Sequence, residues 1–243
     1  MSFIEFVDLH KSFGAKKVLD GLSLKIEKGE TLTVLGGSGS GKTVLLKVLL
    51  GLMGPDRGRV LFEGGDVVTM DEDEIHAVRR RVGMLFQGGA LFDSLTVKEN
   101  VAYPIREQFD YPEEEIGRMV AEKLALVGLP GIEKMAPSDL SGGMKKRVAL
   151  ARAIATNPEV LLYDEPTTGL DPTNTHRINK LIRSLQEKLK VTSIVVTHDI
   201  DSAFFISDRL ALLYGGKIKF VGTKAEVQRC PDPIVQSFIR GEM

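Results

Sequence analysis

Alternation of apolar and polar residues marks the first thirty positions of the chain as strands. Residues 22–27, Leu-Ser-Leu-Lys-Ile-Glu, alternate cleanly, and residues 3–9 alternate in part. This pattern is typical of antiparallel strands that have one face in water. Residues 60–63, which precede a Gly-Gly pair, are expected to join them. The sequence therefore predicts an antiparallel sheet near the N-terminus.

Three other runs are almost continuously apolar, namely residues 31–35, 160–163 and 193–196. Short aliphatic and β-branched runs of this kind suit parallel strands that are buried on both faces. Helical patterns separate the runs along the chain. We therefore predict an α/β fold with a mostly parallel core sheet.

The middle of the chain, residues 88–158, has a helical pattern. Within residues 113–127 the apolar positions recur close to every 3.6 residues, and Gly128 then ends the helix. Residues 141–155 form a second predicted helix, which ends before an Asn-Pro pair. We interpret residues 88–158 as a helical subdomain inserted into a single domain, 1–243, whose core is made of residues 1–87 and 159–243.

The composition narrows the classes of function. The 243 residues carry a net charge of -1, so no global field draws the chain to nucleic acid or to an anionic membrane. The single cysteine, Cys230, cannot form an internal disulfide, which favours a reducing cytosol. No apolar run approaches the ~18 residues of a spanning helix, and the N-terminus lacks the pattern of a secretory signal. If the protein works at a membrane, we expect it to do so through a partner.

A glycine-rich loop at residues 36–43, Gly-Gly-Ser-Gly-Ser-Gly-Lys-Thr, matches the pattern G-x-x-x-x-G-K-[ST]. The alternative is a glycine-rich turn that precedes a lysine by chance, but a buried strand before the loop and a helix after it favour the motif. Glycines let backbone N–H groups converge on phosphates, and the helix N-terminus adds its positive dipole end. We expect Lys42 to reach the β- and γ-phosphates of ATP and Thr43 to bind Mg²⁺.

Two adjacent acidic residues, Asp164 and Glu165, follow the buried run at 160–163. Such a pair at the end of a strand is otherwise a common surface turn. In a chain that also has a phosphate loop, Asp164 is predicted to hold Mg²⁺, directly or through water. Glu165 is predicted to polarise the water that attacks the γ-phosphate.

The segment Leu140-Ser141-Gly142-Gly143-Met144 opens the helix at 141–155. Its serine serves either as an N-cap or, with the glycine N–H groups, as a second anion site. With the two preceding motifs, in this order and over essentially the whole length, the chain resembles the nucleotide-binding subunits of ABC transporters. The resemblance implies a P-loop ABC ATPase fold with an N-terminal antiparallel β-subdomain and an inserted helical subdomain. It also implies a head-to-tail dimer in which each signature segment faces the γ-phosphate bound by the other copy.

The resemblance assigns further residues. It places Phe13 on the adenine, although packing in the core is the alternative, and it makes Gln87 a sensor of Mg²⁺ and the γ-phosphate. Asp171 meets its twin across the dimer, and His198 is the switch at the γ-phosphate. The catalytic residues are then Lys42, Gln87, Glu165 and His198, and the Mg²⁺ ligands are Thr43, Gln87 and Asp164. The ATP-binding residues are Phe13, Gly36, Gly37, Ser38, Gly39, Ser40, Gly41, Lys42, Thr43, Ser141, Gly142, Gly143 and Asp171.

A narrower resemblance covers residues 84–92, 100–104, 140–153 and 231–238. These segments are similar to those of the Mla-type, Mce-associated ATPases that drive phospholipid transport between the inner and outer membranes. Met144 stands where most ABC subunits have glutamine, and this subfamily shares the change. Because Ser141 and the glycine N–H groups remain, we do not interpret Met144 as inactivating.

The narrower resemblance implies a place on the cytoplasmic face of the inner membrane and a set of partners. The expected partners are a second copy, a multispanning permease, an Mce-domain lipid-binding protein reached through the permease, and the STAS-domain regulator that some relatives bind; no nucleic acid is expected. One alternative is an ABC subunit for another small solute. Another is a soluble ABC protein acting on DNA or ribosomes, but the chain lacks their tandem cassettes and coiled-coil insertions. A kinase or other P-loop enzyme would not explain the full set of motifs.

Overall fold

The computed structural model describes residues 2–242, which form two compact units. The first unit contains the chain up to Arg79 and from Thr192 onward, and the second is Arg80–Val191. The segment 88–158 lies within the second unit, together with the strands and the helix that flank it. The predicted boundaries of the helical subdomain, 87/88 and 158/159, stay a prediction.

The first unit contains the antiparallel sheet predicted near the N-terminus, with strand order β2-β1-β4-β5. Its strands are β1 (Ile4–Phe13), β2 (Lys16–Ile26), β4 (Arg57–Phe62) and β5 (Gly65–Asp66). Ile4 pairs with Ile26 on one side and with Phe62 on the other. All three side chains are buried, so one face of the sheet is apolar, as the alternating pattern indicates.

A second sheet in this unit has the order β10-β9-β3-β8. Its strands are β3 (Thr31–Leu35), β8 (Thr192–Thr197), β9 (Arg209–Tyr214) and β10 (Lys217–Thr223). β3 is parallel to both β8 and β9, and only β10 is antiparallel to its neighbour. Every residue of β3 and β8 is buried, which explains their continuous apolar runs.

Five helices accompany these sheets: α1 (Lys42–Leu49), α2 (Glu72–Arg80), α7 (Ile200–Ile206), α8 (Lys224–Arg229) and α9 (Pro233–Ile239). The last two bury Val227, Val235 and Phe238 against Leu35 and Leu212. The C-terminal segment is therefore packed onto the strand that leads into the phosphate loop. None of the helices within residues 2–242 has the length and apolar content needed to cross a bilayer.

The second unit has two parallel strands and four α-helices. The strands are β6 (Val82–Leu85) and β7 (Val160–Asp164), and the helices are α3 (Val97–Gln108), α4 (Glu113–Leu126), α5 (Gly142–Ala153) and α6 (Pro172–Leu189). α4 buries Ile116, Val120 and Leu124 along one face, which confirms the predicted helix. α5 and α6 begin at side-chain caps, Ser141 and Asp171. The antiparallel sheet, the mostly parallel core strands and the helices confirm the predicted fold class.

A tight contact between β6 and the end of α5 yields the first prediction. A Cβ on Gly83 would lie 2.1 Å from the carbonyl oxygen of Ala153. Gly83→Ala should therefore lower the stability by about 2 kcal/mol, which corresponds to an unfolding temperature roughly 5 °C lower by differential scanning fluorimetry. Gly88→Ala is the control, because nothing lies within 4 Å of its Cβ. Equal unfolding temperatures for the two variants would contradict the close contact.

Candidate functional site

The loop after β3 has the backbone shape of a phosphate cradle. A Cβ on Gly36 would lie 2.6 Å from Ser40 Oγ and 2.8 Å from the carbonyl oxygen of Leu213. Gly41 has φ +108° and caps α1, and a Cβ there would lie 2.8 Å from Val18 Cγ1. Only glycine fits at both positions. Gly37 and Gly39, in contrast, are exposed, so the outer side of the loop is open to a ligand.

Two polar groups point into this loop. The Lys42 side chain is buried, and its ammonium donates hydrogen bonds to the carbonyl oxygens of Gly36 (2.8 Å) and Gly37 (3.0 Å). Ser40 Oγ is buried without a hydrogen-bond partner among residues 2–242. A buried hydroxyl is normally paired, so its position fits a loop that binds a polar ligand. The α1 N-terminus lies next to both groups and favours an anion.

Two further predicted residues belong to the same unit. Phe13 ends β1 and is 48% exposed, so it is not a core residue, and its ring is free to stack on a planar base. The Lys11 ammonium lies 5.9 Å from its ring centroid. His198 is also exposed and stands between β8 and Asp199, the N-cap of α7.

In the second unit, Asp164 and Glu165 stand at the C-terminal end of β7, and both are more than nine-tenths buried. Glu165 has φ +48°, a left-handed conformation that non-glycine residues rarely adopt. Its carboxylate accepts a hydrogen bond from the Thr168 hydroxyl at 3.3 Å. The acid pair is therefore not a surface turn. The backbone holds Glu165 in a fixed, strained position, as is common at functional sites.

Lys146 of α5 joins Glu165 to Gln87. Its ammonium donates to the backbone carbonyl oxygen of Gln87 and, at 3.3 Å, to that of Glu165. Burial lowers the pKa of Lys146, while Asp164 and Glu165 act in the opposite direction. The Gln87 side chain itself is exposed. Two predicted catalytic residues are thus held by one side chain that the sequence analysis did not single out.

The signature segment and Asp171 are neighbours within this unit. Ser141 Oγ accepts the Met144 N–H at 3.3 Å, and Asp171 accepts the Asn174 N–H at 3.0 Å. The Asn174 bonds are the largest cause of a lowered pKa at Asp171. A Cβ on Gly143 would lie 2.9 Å from the Asn174 side chain, so the starts of α5 and α6 are in close contact. Ser141 and Gly142 remain exposed, as a site for a second anion requires.

A largely apolar groove of about 420 Å³ lies beside the segment that follows Gln87. Phe86, Phe92 and Tyr103 line it and are each at least 40% exposed. The rings of Phe92 and Tyr103 are 5.0 Å apart. Arg152 also lines it and donates to the carbonyl oxygens of Gly89 and Ala90, both at 2.8 Å. Exposed aromatic clusters of this size are typical of surfaces that bind another protein.

The predicted Mg²⁺ ligands have the right chemistry for that ion. Thr43, Gln87 and Asp164 offer a hydroxyl, an amide and a carboxylate oxygen, and Mg²⁺ prefers oxygen ligands. They contain one acid, and residues 2–242 contain no cluster of three His, Cys, Asp or Glu residues that would hold a metal by itself. The donor set suits a cation that phosphate oxygens also coordinate.

The family model of the ABC transporters matches residues 19–168, more than half of the chain. The chain belongs to the ABC transporter family. It is the ATP-binding subunit type, an ABC-type ATPase that hydrolyses ATP. This confirms the resemblance that the motifs indicate.

Individual relatives are similar over almost the full length. The "Intermembrane phospholipid transport system ATP-binding protein MlaF" of Haemophilus influenzae is 42% identical over 241 residues, 99% of this chain and 91% of that protein. The "Probable ribonucleotide transport ATP-binding protein mkl" of Mycobacterium tuberculosis is 40% identical over 238 residues, 98% of this chain and 66% of that protein. Because the two names give different cargoes at similar identity, identity alone does not decide the cargo.

A solved structure supports both the fold and the nucleotide. It is the ATP-binding cassette MJ0796, a dimer in a post-hydrolysis state bound to ADP and Pi. It is 32% identical, has a TM-score of 0.82, and covers 90% of this chain and 98% of its own. ABC cassettes of this type therefore bind nucleotide and assemble in pairs.

Sequence reasoning missed three residues that shape the second unit: Lys146, Arg152 and Asn174. A signal for Lys146 was present. It lies on the same face of α5 as Gly143, Leu150 and Ala153, all of which are buried. A lysine on an apolar helical face must reach a partner, and here it reaches two backbone carbonyls.

Proposed function

We propose that this ABC ATPase energises phospholipid transport between the inner and outer membranes through a permease partner. The observation that carries the proposal is the similarity to MlaF along 99% of this chain. The segment that follows Gln87 and the Ser-Gly-Gly-Met signature, which resemble this subfamily more than other ABC subunits, support the same proposal. The second candidate is an ABC subunit for another small solute, which the similarity to mkl favours.

The chemistry assigned to the nucleotide pocket follows from the side chains. Phe13 stacks on the adenine, and the loop residues 36–41 offer backbone N–H groups to the phosphates. Lys42 turns its ammonium from the Gly36 and Gly37 carbonyls to the β- and γ-phosphates and neutralises charge there. Thr43, Gln87 and Asp164 would hold Mg²⁺, which would neutralise charge on the β- and γ-phosphate oxygens.

Hydrolysis needs a base beside the attacking water. Glu165 is the proposed base: its carboxylate accepts the water proton as the oxygen attacks the γ-phosphorus and ADP leaves. His198 is the proposed donor to the γ-phosphate, and Gln87 the proposed link from that phosphate to the groove. These roles rest on the matching motifs and on the fixed backbone of Glu165.

Two copies are proposed to act together, head-to-tail. Ser141, Gly142 and Gly143 of one copy would bind the γ-phosphate held by the other, while Asp171 meets its counterpart across the interface. The exposure of Ser141 and Gly142 at the start of α5 supports this role. Loss of the γ-phosphate removes the charge that both copies share, and the pair then loosens.

The aromatic groove is the proposed docking site for the permease. An exposed cluster of Phe86, Phe92 and Tyr103 suits an apolar helix of a membrane protein, and Gln87 adjoins it. The chain would then lie on the cytoplasmic face of the inner membrane. It would reach an Mce-domain lipid-binding protein through the permease, and a STAS-domain regulator is a further proposed partner.

Purification from the host membrane in mild detergent tests the proposal. We expect a multispanning permease to be recovered with the chain, and phospholipid to be the bound lipid found by mass spectrometry. After reconstitution, the complex should move a fluorescent phospholipid between vesicle leaflets or to an acceptor only with ATP. Transport of a ribonucleotide in its place would favour the second candidate, and recovery of ribosomes or DNA would reject both.

The docking site is tested in the same experiment with a matched pair of variants. Tyr103→Glu puts a charge in the groove and should reduce recovery of the permease at least tenfold. Tyr111→Glu is the control, because Tyr111 is equally exposed (43% against 44%) but lies outside the groove and stacks on Phe109. Both variants should bind ATP normally. Equal recovery from the two would reject the groove as the docking site.

A further inference from the structure

Lys146 is a buried cation, and its ammonium donates to backbone carbonyls of two segments that the proposed mechanism uses. Its side chain is 6% exposed, yet its ammonium donates to the carbonyl oxygens of Gln87 and Glu165. Both carbonyls lie in the second unit, on segments that are 78 residues apart in sequence. Burying a lysine is costly unless its charge is well compensated. An apolar residue of similar length would fill the same space at less cost, so packing alone does not explain a lysine here.

The negative groups around Lys146 explain why its charge is tolerated. Asp164 and Glu165 both act on the ammonium electrostatically. They are the two residues at the end of β7 that the proposed mechanism uses for Mg²⁺ and for the attacking water. Lys146 therefore sits within reach of the acid pair without forming an ion pair with either side chain. The ammonium itself is engaged by main-chain oxygens.

The backbone of Glu165 needs such support. Its φ of +48° is unfavourable for a residue with a Cβ, and the structure around it must hold that conformation. Lys146 binds the carbonyl oxygen of this strained residue, and the Thr168 N–H donates to the same oxygen at 3.3 Å. A donor on its carbonyl oxygen holds the peptide plane that follows Glu165, and this restrains the direction of the Cα–Cβ bond from which the carboxylate extends.

A second strained residue in the same unit has the same kind of support. Ala90, three residues after Gln87, has φ +48°, and its carbonyl oxygen accepts from Arg152 at 2.8 Å. Lys146 and Arg152 both come from α5, so one helix holds the segment 87–90 at its two ends. Lys146 differs from Arg152 because it also reaches Glu165.

We propose that Lys146 is a positioning residue for ATP hydrolysis: it ties the backbone of Gln87 to that of Glu165 and keeps the two side chains in one catalytic arrangement. The inference rests on the proposed roles of Gln87 and Glu165. In this role Lys146 acts through the two main-chain oxygens that it binds and not by contact with the nucleotide or the water. Its loss should therefore lower kcat and leave the binding of ATP nearly unchanged.

The test uses the full chain purified with its permease. Lys146→Met keeps the length and the apolar stem but removes the donors. We expect kcat for ATP to fall about tenfold to thirtyfold, with KM and the dissociation constant of ATP changed less than twofold. Lys146→Arg restores a cation with several donors. Its kcat should be at least the geometric mean of the values for the Lys146→Met variant and the unaltered chain.

Arg147→Met is the matched control. Arg147 is the next residue of α5, and its guanidinium also donates to backbone carbonyls, those of Val127 and Gly128 at 3.5 and 3.1 Å, which carry no proposed catalytic group. Its kcat should stay within twofold of the unaltered chain. Unfolding temperatures of both variants are measured alongside. A kcat of Lys146→Met within twofold of the unaltered chain, or a loss that Arg147→Met shares, overturns the proposal.

A double-mutant cycle separates positioning from general destabilisation. If Lys146 acts through Gln87, the fold decrease in kcat caused by Lys146→Met should be at least three times smaller in a Gln87→Ala chain than in the unaltered chain. Full additivity would show that Lys146 does not act through Gln87 and would overturn the link. Glu165→Gln is measured in parallel: brisk hydrolysis in that variant would reject the proposed role of Glu165 and not the contact of Lys146 itself. The cargo does not enter these assays, so an error about phospholipid leaves their outcome unaffected.

Discussion

Glu165→Gln will bind ATP as tightly as the unaltered chain and hydrolyse it at least a hundredfold more slowly. The amide has the size of the carboxylate and still accepts the hydrogen bond from Thr168, so the buried site keeps its packing. It cannot accept a proton from water, and general base catalysis of this kind contributes about 10²–10⁴-fold. With the γ-phosphate kept intact, two copies should remain closed on ATP. Phosphate release, nucleotide binding and size-exclusion chromatography with ATP measure the three expectations.

Glu159→Gln provides the control for this variant. Glu159 directly precedes β7 and pairs with Arg81 at 2.6 Å, far along the strand from Glu165. The same carboxylate-to-amide change there should leave the hydrolysis rate within twofold, because a partly exposed ion pair contributes little. Brisk hydrolysis by Glu165→Gln would remove Glu165 as the base. A monomer in the presence of ATP would contradict the trapped dimer.

Lys42→Ala will weaken ATP binding by about tenfold to a hundredfold. Its ammonium already lies across the loop, bonded to the Gly36 and Gly37 carbonyls, and it is the one side-chain cation of residues 36–43. Hydrogen bonds to charged groups contribute about 1.5–3 kcal/mol, and each 1.4 kcal/mol is a factor of ten in affinity. A titration with a fluorescent ATP analogue measures the change.

Lys47→Ala is the matched control on the same helix, since Lys47 is exposed and lies in the last turn of α1. Its affinity should be unchanged. Lys42→Met retains the buried stem and separates loss of charge from loss of packing: it should bind ATP as weakly as Lys42→Ala but unfold at a higher temperature. An unchanged affinity in both Lys42 variants would reject the phosphate role.

Most of the core strands could be predicted because a strand that is buried on both faces has a nearly continuous apolar sequence. The runs at 31–35, 160–163 and 193–196 are β3, β7 and β8, which are completely buried. β9 had the same signal, Leu210 to Leu213 before a Gly-Gly pair, but was not assigned. β10 alternates weakly because its residues are mostly half-buried or exposed. Its place depends on pairing with β9, which no local pattern reveals.

Part of the candidate site could likewise be predicted from the sequence, and part could not. The loop at residues 36–43 was predictable because backbone N–H groups around a phosphate require glycine at set positions. The strained backbone of Glu165 and Ala90 was not, because neither glutamate nor alanine favours a positive φ. Their conformations are fixed by cations from α5, a contact between distant parts of the sequence. Local propensity carries no information about such support.

The α5 helix connects the signature segment, proposed to bind the second copy's nucleotide, with the aromatic groove, proposed to bind the permease. Its 12 residues span roughly 18 Å, with Ser141 as the N-cap at one end and Arg152, which lines the groove, near the other. A helix of this length bends little. A displacement of the groove would therefore shift Ser141 by a similar distance, because no loop separates the two. A force that a permease exerts on the groove would then be transmitted along α5 to the nucleotide bound by the second copy.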